Sequence, residues 1–407
     1  MSLTFAAIEG KSRNFKILVV ALGAVSVAGF VCFVVSYIRG HQVFGSSNIV
    51  PWGMPIVVAI YLIGLSAGSL ILSSLTYVLG REEYRPIARL AVFLAIVLIF
   101  GAMVAIALDL GRPEKVWRLF GLFVLNNMRS MFAINTVLYG GYFVIGVLYL
   151  GFIFAEKSKL TKTMGTLAVF WASLVHMGTG AIFGFIAARP IFHSPIKPFE
   201  FLAAAMASGL ALLIIVVVSV FKFSGRKFNR DIIFPLSRLL LGLIVVLAVM
   251  VLIDKLTHVY SPHREPTLWL LTGPYAWVFW GLQVGCGYIL PILLLIHRRC
   301  GKTIEGVMVA AFSVVVGIFG ERFALVIPGT AYPMPFYSGA IEGVWGIPGS
   351  FLITPVETVM SLGVFGVMGL LFILGLKNLD LLPTDETGEM GEAGEVAGGP
   401  AQGKGGS

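Results

Sequence analysis

The sequence predicts an all-α integral membrane protein with about ten transmembrane helices, and three observations carry that prediction. The 407-residue chain is 58% hydrophobic and only 12% charged, with a mean hydropathy of +0.94. Soluble domains carry roughly 25% charged residues, so a soluble chain of this composition could not cover its own surface. Apolar runs of about 20 residues, the length that crosses a bilayer, recur throughout. None alternates with the period of a strand, and only helices or closed barrels satisfy the backbone in lipid, so the runs read as helices.

Ten stretches have spanning length: 15–38, 53–79, 87–109, 131–155, 163–189, 199–222, 232–254, 272–297, 305–327 and 355–376. Residues 1–14 form a short N-terminal segment, 15–382 the transmembrane domain, and 383–407 a Gly/Glu-rich tail with too little apolar surface to fold. The N-terminus has no small-residue cleavage pattern after a short apolar run, so the first helix is expected to act as the insertion signal.

The formal charge of +9 would suggest nucleic acid in a soluble protein. Here the basic residues sit in short loops between apolar runs, so the charge reports topology and no nucleic-acid partner is expected. With the N-terminus inside, 19 of the 29 Lys and Arg residues fall on the cytoplasmic side, which favours both termini in the cytoplasm and a multi-pass protein of the cytoplasmic (inner) membrane. The segment from Pro328 to Thr354 then lies outside; it has no Lys or Arg and reads as an ordered cap or docking surface. Cys32, Cys286 and Cys300 have no C-x-x-C spacing, which argues against an iron–sulfur cluster, a zinc site or a disulfide framework.

The same topology sorts the unusual residues into the outer half of the membrane, where ionisable groups are costly and are functional candidates by default. Asp109 and Arg112 close helix 3, Ser130 and Asn135 open helix 4, and Arg189-Pro190 closes helix 5. Asp254 and His258 end helix 7, Glu321-Arg322 sits in helix 9, and Glu357 opens helix 10. Asp109 and Arg112 read either as a helix-capping ion pair or as a proton-accepting carboxylate tuned by a guanidinium. Asn135 and Tyr139 share a helix face, with Tyr142 next on that side; they suit either a ring with two carbonyls or helix–helix glue.

Trp52, in Pro51-Trp52-Gly53-Met54-Pro55, is an interfacial aromatic or a wall of a flat slot, and Gly64 and Gly68 form a small-xxx-small pair that implies close packing. His176, in His176-Met177-Gly178-Thr179-Gly180, is the one histidine deep in the membrane. A dihaem cytochrome needs four axial ligands there, so haem is not expected. His176 is a structural hydrogen-bonder or a proton partner. Glu321 and Arg322 point about 100° apart on one helix, so each is expected to find a partner on another helix, Glu357 for Arg322, in a proton relay or a structural pin.

The ordered set Pro51-Trp52-Gly53, Gly64-x-x-Ala67-Gly68, Asp109-Leu110-Gly111-Arg112-Pro113 and Asn126 to Ser130-Met131 resembles the NrfD/PsrC family of membrane subunits of quinone-linked respiratory complexes. Ala188-Arg189-Pro190, Pro198-x-Glu-Phe and Ala207-Ser208-Gly209 fit the same family, and the resemblance covers about residues 50–360. Ten helices resemble the longer branch that includes HybB, QrcD and ActC, and within it the DsrP-type subunits of sulfur metabolism.

The resemblance implies two antiparallel four-helix bundles plus two added helices. It also implies menaquinone (or ubiquinone) bound near the outer face in the first bundle, and no haem or iron–sulfur cluster in this chain. The implied partner is an outward ferredoxin-like iron–sulfur subunit, with cytochrome c and further membrane subunits as additional members. On this reading Asp109 and His176 are the catalytic candidates. Trp52, Ser66, Arg112, Asn135, Tyr139 and Arg189 would bind the cofactor, and Asp109, Asp254, Glu321, Arg322 and Glu357 would relay protons. Some relatives carry His where this chain has Ser66 and Asp where it has Asn135, which shifts proton uptake toward Tyr139, Asp109 and His176.

Two other functions compete with a quinone-reactive subunit. A proton-coupled secondary transporter favours a midplane site with polar gates on both sides, whereas the polarity here is one-sided. A passive anchor would need neither ten helices nor so many embedded polar groups.

Overall fold

The computed structural model describes residues 4–47, 49–78, 80–118, 126–226, 229–333 and 348–384. With no water in lipid to pair backbone groups, the spanning segments must close their hydrogen bonds internally. Among the described residues, structure is helical apart from one pair of two-residue strands.

Ten long helices follow in chain order: α1 Arg13–Arg39, α2 Met54–Tyr77, α3 Arg85–Asp109, α4 Met131–Phe154 and α5 Ser158–Gly184, then α6 Lys197–Ser224, α7 Ile233–Tyr260, α8 Val278–Ile296, α9 Ile304–Ala331 and α10 Pro355–Asn378. Nine are long and apolar enough to cross a membrane among the described residues, and α2 is described as apolar over Met54–Gly68. This is an all-α polytopic membrane protein.

The helices close into two four-membered rings. α2 packs on α3, α3 on α4, α4 on α5, and α5 back on α2; α6 to α9 repeat the arrangement. α6 joins the rings by packing on α2 and α5, while α1 packs on α10 beside α3. Lipid tails are as apolar as leucine, so burial from water does not drive these contacts; small residues that let backbones approach do. Gly68 and Gly209 face each other across α2 and α6, and a Cβ on either would strike the other's backbone. Gly29 and Gly363 do the same for α1 and α10. A Cβ on Gly64 would meet only Nη2 of Arg322 and Oγ of Ser208, at ordinary contact distance, so the small-xxx-small pair works through one of its members.

The described ends of the chain meet at one face. Phe5–Ala6 pairs antiparallel with Leu382–Pro383, and Arg226 donates to the carbonyls of Ala6, Ala7, Leu382 and Pro383 at 2.7–3.2 Å. Arg89 places its guanidinium 3.9 Å over the Phe5 ring. The tail predicted over 383–407 falls outside the described residues from 385 onward.

Three boundaries differ from those read in the sequence. α5 spans Ser158–Gly184 rather than 163–189, so Arg189-Pro190 lies in the following loop. The stretch near 272–297 starts later, as α8 at Val278: a short helix, Glu265–Thr272, precedes it and ends at Gly273-Pro274, because proline disfavours helical backbone at the residue before it. α9 runs through Pro328 to Ala331, so the segment expected to lie outside begins later; 334–347 of it lies outside the described residues.

Candidate functional site

An apolar cavity of about 320 Å³ opens between α2, α3, α4 and α5 in the first ring. Trp52, Ile60 and Ile63 line one side, Ala107 and Leu110 another, and Asn135, Tyr139, Thr179 and Phe183 the rest. The aromatic wall is built by packing: Trp52 meets Phe183 edge-on at 5.7 Å and stacks on Phe192 at 6.3 Å.

The His176–Gly180 run now has a local explanation. The Gly178 carbonyl accepts from Nδ2 of Asn135 at 2.9 Å, and Nδ2 also donates to Met131 at 2.8 Å. Both are carbonyl oxygens, so the amide can present only its nitrogen to them. Gly178 has no Cβ, and one there would lie 2.8 Å from Oδ1 of Asn135. Among the described residues Oδ1 itself has no hydrogen-bond partner, although it is buried. Thr179 stands 2.9 Å from the Tyr139 hydroxyl, and Gly180 lets α5 approach Pro198 of α6.

Of the residues singled out in the sequence, Trp52, Asn135 and Tyr139 share this wall. Asp109 lies between the wall residues Ala107 and Leu110 without lining the cavity, and it forms no ion pair with Arg112 among the described residues, so the capping pair does not form.

His176 and Ser66 sit one layer away. Nε2 of His176 faces the Ile63 carbonyl at 2.8 Å, its Nδ1 faces Ala172, and Tyr142 donates to the Ser66 carbonyl at 3.1 Å. Arg189 is elsewhere: Nη1 donates to Thr330 and Tyr332 at 2.6 and 3.0 Å, tying the loop after α5 to the end of α9. Partial burial moves its guanidinium down from the usual arginine range.

The remaining candidates form a second polar system. Nζ of Lys197 lies 2.6 Å from Glu200 and 3.1 Å from Asp254, and Lys255 reaches the same Asp254 oxygen at 2.9 Å. A second cavity of about 890 Å³, lined by His193, His258, His263, Asp254 and Glu265, opens beside this cluster. On its inner side lies a void of about 30 Å³ with Lys197, Glu200, Gln283 and Glu321 in its wall. Beyond it, Gln283 donates to Tyr288 at 3.1 Å and Tyr288 to Glu321 at 3.2 Å. Gln283 and Tyr288 are five apart, and the wide i→i+5 winding of Val278–Ile289 brings them onto one face.

The expectation that Glu321 and Arg322 would each look to another helix is half corrected. Glu321 does take Tyr288. Arg322, fully buried, bends its long stem so that Nη1 meets Glu321 at 3.1 Å, and its guanidinium lies 3.9 Å over Phe201. Glu357 is not its partner: the carboxylate accepts from the Gly45 and Met54 amides at 2.8 and 3.2 Å and from Thr354 at 3.3 Å. It fastens the loop before α2 to the start of α10.

Thr179, Lys197, Glu200 and Tyr288 were not among the site candidates read from the sequence, although Thr179 and Glu200 fall inside quoted motifs. Lys197 and Glu200 carried a signal, a charged i,i+3 pair opening an apolar helix; Thr179 and Tyr288 carried none, since hydroxyls are common in membrane helices.

The fold and the cavity define a polytopic helical membrane protein with an apolar slot in one of two four-helix rings. The chain belongs to the NrfD family: residues 42–333 match the model described as Polysulphide reductase, NrfD. It is 36% identical over 342 residues to the Hdr-like menaquinol oxidoreductase integral membrane subunit of Archaeoglobus fulgidus, covering 83% of this chain and 85% of that one. It is 29% identical over 367 residues to a selenate reductase subunit of Mesobacillus selenatarsenatis (80% and 84%). It is 23% identical over 330 residues to the menaquinone reductase integral membrane subunit of Nitratidesulfovibrio vulgaris (74% and 78%).

Proposed function

We propose that this chain is the quinone-reactive membrane subunit of a respiratory oxidoreductase complex, with the ring of a menaquinone-type lipid held in the α2–α5 cavity. The observation that carries the reading is the cavity: an apolar, aromatic-walled slot between four helices, of a volume typical of ligand pockets. The names of the relatives, which include a menaquinol oxidoreductase and a menaquinone reductase subunit, support it. The quinone would supply the redox chemistry; the chain supplies orientation, electrostatics and exclusion of water.

On this reading Trp52 and Phe183 hold the ring edge, while Asn135 and Tyr139 fix its polar ends. Asp109, beside the wall, accepts protons at its carboxylate, and His176 orders the floor through the Ile63 carbonyl. Electrons pass to an outward iron–sulfur subunit, and cytochrome c or other membrane subunits complete the assembly. The place of the chain in the cytoplasmic membrane, both termini inside, and a role in sulfur-compound metabolism belong to the same proposal.

The second polar system is proposed as a proton path. It would run from the second cavity through Asp254, Lys197 and Glu200 to Glu321 and Arg322. The 30 Å³ void between Glu200 and Glu321 has polar walls and room for a water molecule. Glu357, with its oxygens on backbone amides, is the weakest member of that path.

The test is to purify the complex, quantify extracted quinone, and measure quinol oxidation and quinone reduction for wild type, Ala107→Phe and Asp109→Asn. Filling the slot at Ala107 should abolish bound quinone in an assembled complex, and Asp109→Asn should retain quinone but turn over slowly. An assembled wild-type complex with neither bound quinone nor quinone-linked turnover would overturn the reading. Substrate uptake into vesicles lacking quinone would then favour a transporter.

A further inference from the structure

Basic side chains outside the membrane-spanning core differ in what they meet. Arg81 and Arg85 pair with Glu83 and Glu82 at 3.7 and 3.3 Å, and Lys11 pairs with Glu9 at 3.3 Å. Arg226 donates to backbone carbonyls, and Arg89 to the Asp380 carbonyl while lying over the Phe5 ring. The pattern stops where α7 and α9 begin and α8 ends. A cavity of about 450 Å³ opens there, lined by Arg238 of α7 and by Arg298 and Lys302 of the turn between α8 and α9. All three are exposed, and none makes an ion pair or side-chain hydrogen bond among the described residues. The wall holds no carboxylate. Asp231 and Glu305, the acidic residues nearest in sequence, lie outside it and form no ion pair among the described residues. His297 stands in the same wall with Nδ1 facing the Cys300 amide at 3.5 Å. Phe234 and Leu241 of α7 and Leu295 and Ile296 of α8 add an apolar flank.

We propose that this cavity binds an anionic phospholipid. Its phosphodiester is held by Arg238, Arg298 and Lys302, and its acyl chains run along the apolar flank of α7 and α8. The inference stands apart from the quinone reading, which concerns the other ring. Topology alone collects basic residues in loops, but it does not require three of them to converge on one opening without a counter-charge, where like charges repel. The ends of spanning helices lie at the level of lipid headgroups, and basic pockets between such helices suit anionic ones. The guanidinium forks match phosphate oxygens, and the lysine adds a point charge. A zwitterionic lipid carries its own ammonium, which would be set against the three cations. The chain's own segment 385–407 holds five carboxylates within Asp385–Glu395, yet its large apolar side chains are only Met390 and Val396. It could neutralise the cations but not cover the apolar flank.

The experiment titrates lipid into the intact complex, stripped of lipid in a neutral detergent, with bound lipid counted by native mass spectrometry. The probes are phosphatidylglycerol, phosphatidylcholine and glycerol 3-phosphate. Phosphatidylglycerol should bind its tightest site about tenfold or more tighter than phosphatidylcholine. Arg238→Gln with Arg298→Gln and Lys302→Gln should abolish that preference. Arg298→Gln alone, in an exposed turn, should weaken phosphatidylglycerol roughly fivefold, and remains informative if the triple variant does not assemble. Arg299→Gln removes the same charge from an exposed neighbour outside the wall and should change nothing. Equal affinity for the two lipids, or Arg298→Gln behaving as Arg299→Gln, overturns the inference. Glycerol 3-phosphate binding as tightly as the lipid means a bare phosphate site and overturns it too. So does a tenfold gain in phosphatidylglycerol affinity in the full chain carrying Asp385→Asn, Glu386→Gln, Glu389→Gln, Glu392→Gln and Glu395→Gln, which would mean that the acidic segment occupies the cavity.

Discussion

Asn135 on α4 and Gly178 on α5 are fitted to each other: the amide nitrogen donates to the Gly178 carbonyl at 2.9 Å, and the missing side chain of Gly178 leaves the room that Oδ1 of Asn135 occupies. The pair sets the separation of two walls of the slot.

Gly178→Ala should therefore disturb the slot and the fold together. Its Cβ would lie 2.8 Å from Oδ1 of Asn135 and 2.9 Å from Leu138. Overpacking of this kind costs about 1–3 kcal/mol. Thermal unfolding in detergent should show a lower midpoint, and bound quinone should fall. An unchanged midpoint with full quinone content would mean that α4 and α5 separate without penalty.

The buried charges make a second prediction. Lys197→Met removes the ion-pair partner of Glu200 and one of two lysines on Asp254. Stranding a buried carboxylate costs about 3–5 kcal/mol, whereas removing both members of a pair costs far less. Lys197→Met should be strongly destabilised, and the double variant with Glu200→Gln should recover much of the loss. Equal stability of the single and double variants would contradict the pairing.

Arg226 supports a third. It holds four carbonyls from both described ends of the chain, each bond worth about 0.5–1.5 kcal/mol net. In Arg226→Ala the amides of Ile8 and Thr384, which bond to Leu376 and Thr4, should exchange hydrogen much faster, while the content of extracted quinone stays unchanged. Protection that survives the substitution would show that the strand pair holds without Arg226.

The ten helices were legible because lipid leaves the backbone one solution per apolar run, and the run itself is visible. The ends were less so. Gly273-Pro274 delayed the start of α8 to Val278, and Pro328 failed to end α9. In the slot, Trp52, Asn135 and Tyr139 could be placed because large polar or aromatic groups are conspicuous in apolar helices. Thr179 could not, because its role comes from standing opposite Tyr139 on another helix. Arg189 and Glu357 were conspicuous for the same reason as the slot residues, yet their charge is used on backbone groups of neighbouring loops. Burial cost marks a residue as important in the sequence; only packing tells whether it serves a ligand or the chain.

The most direct test of the central claim is photolabelling of the intact complex with an azido-quinone, followed by mapping of the labelled residues by mass spectrometry. The account predicts label on the cavity walls, at Ile60, Ala107 or Tyr139 and their neighbours, lost on competition with unlabelled quinol. Competed label confined to the larger cavity around His193 and His258, or to α6–α9 alone, would contradict it.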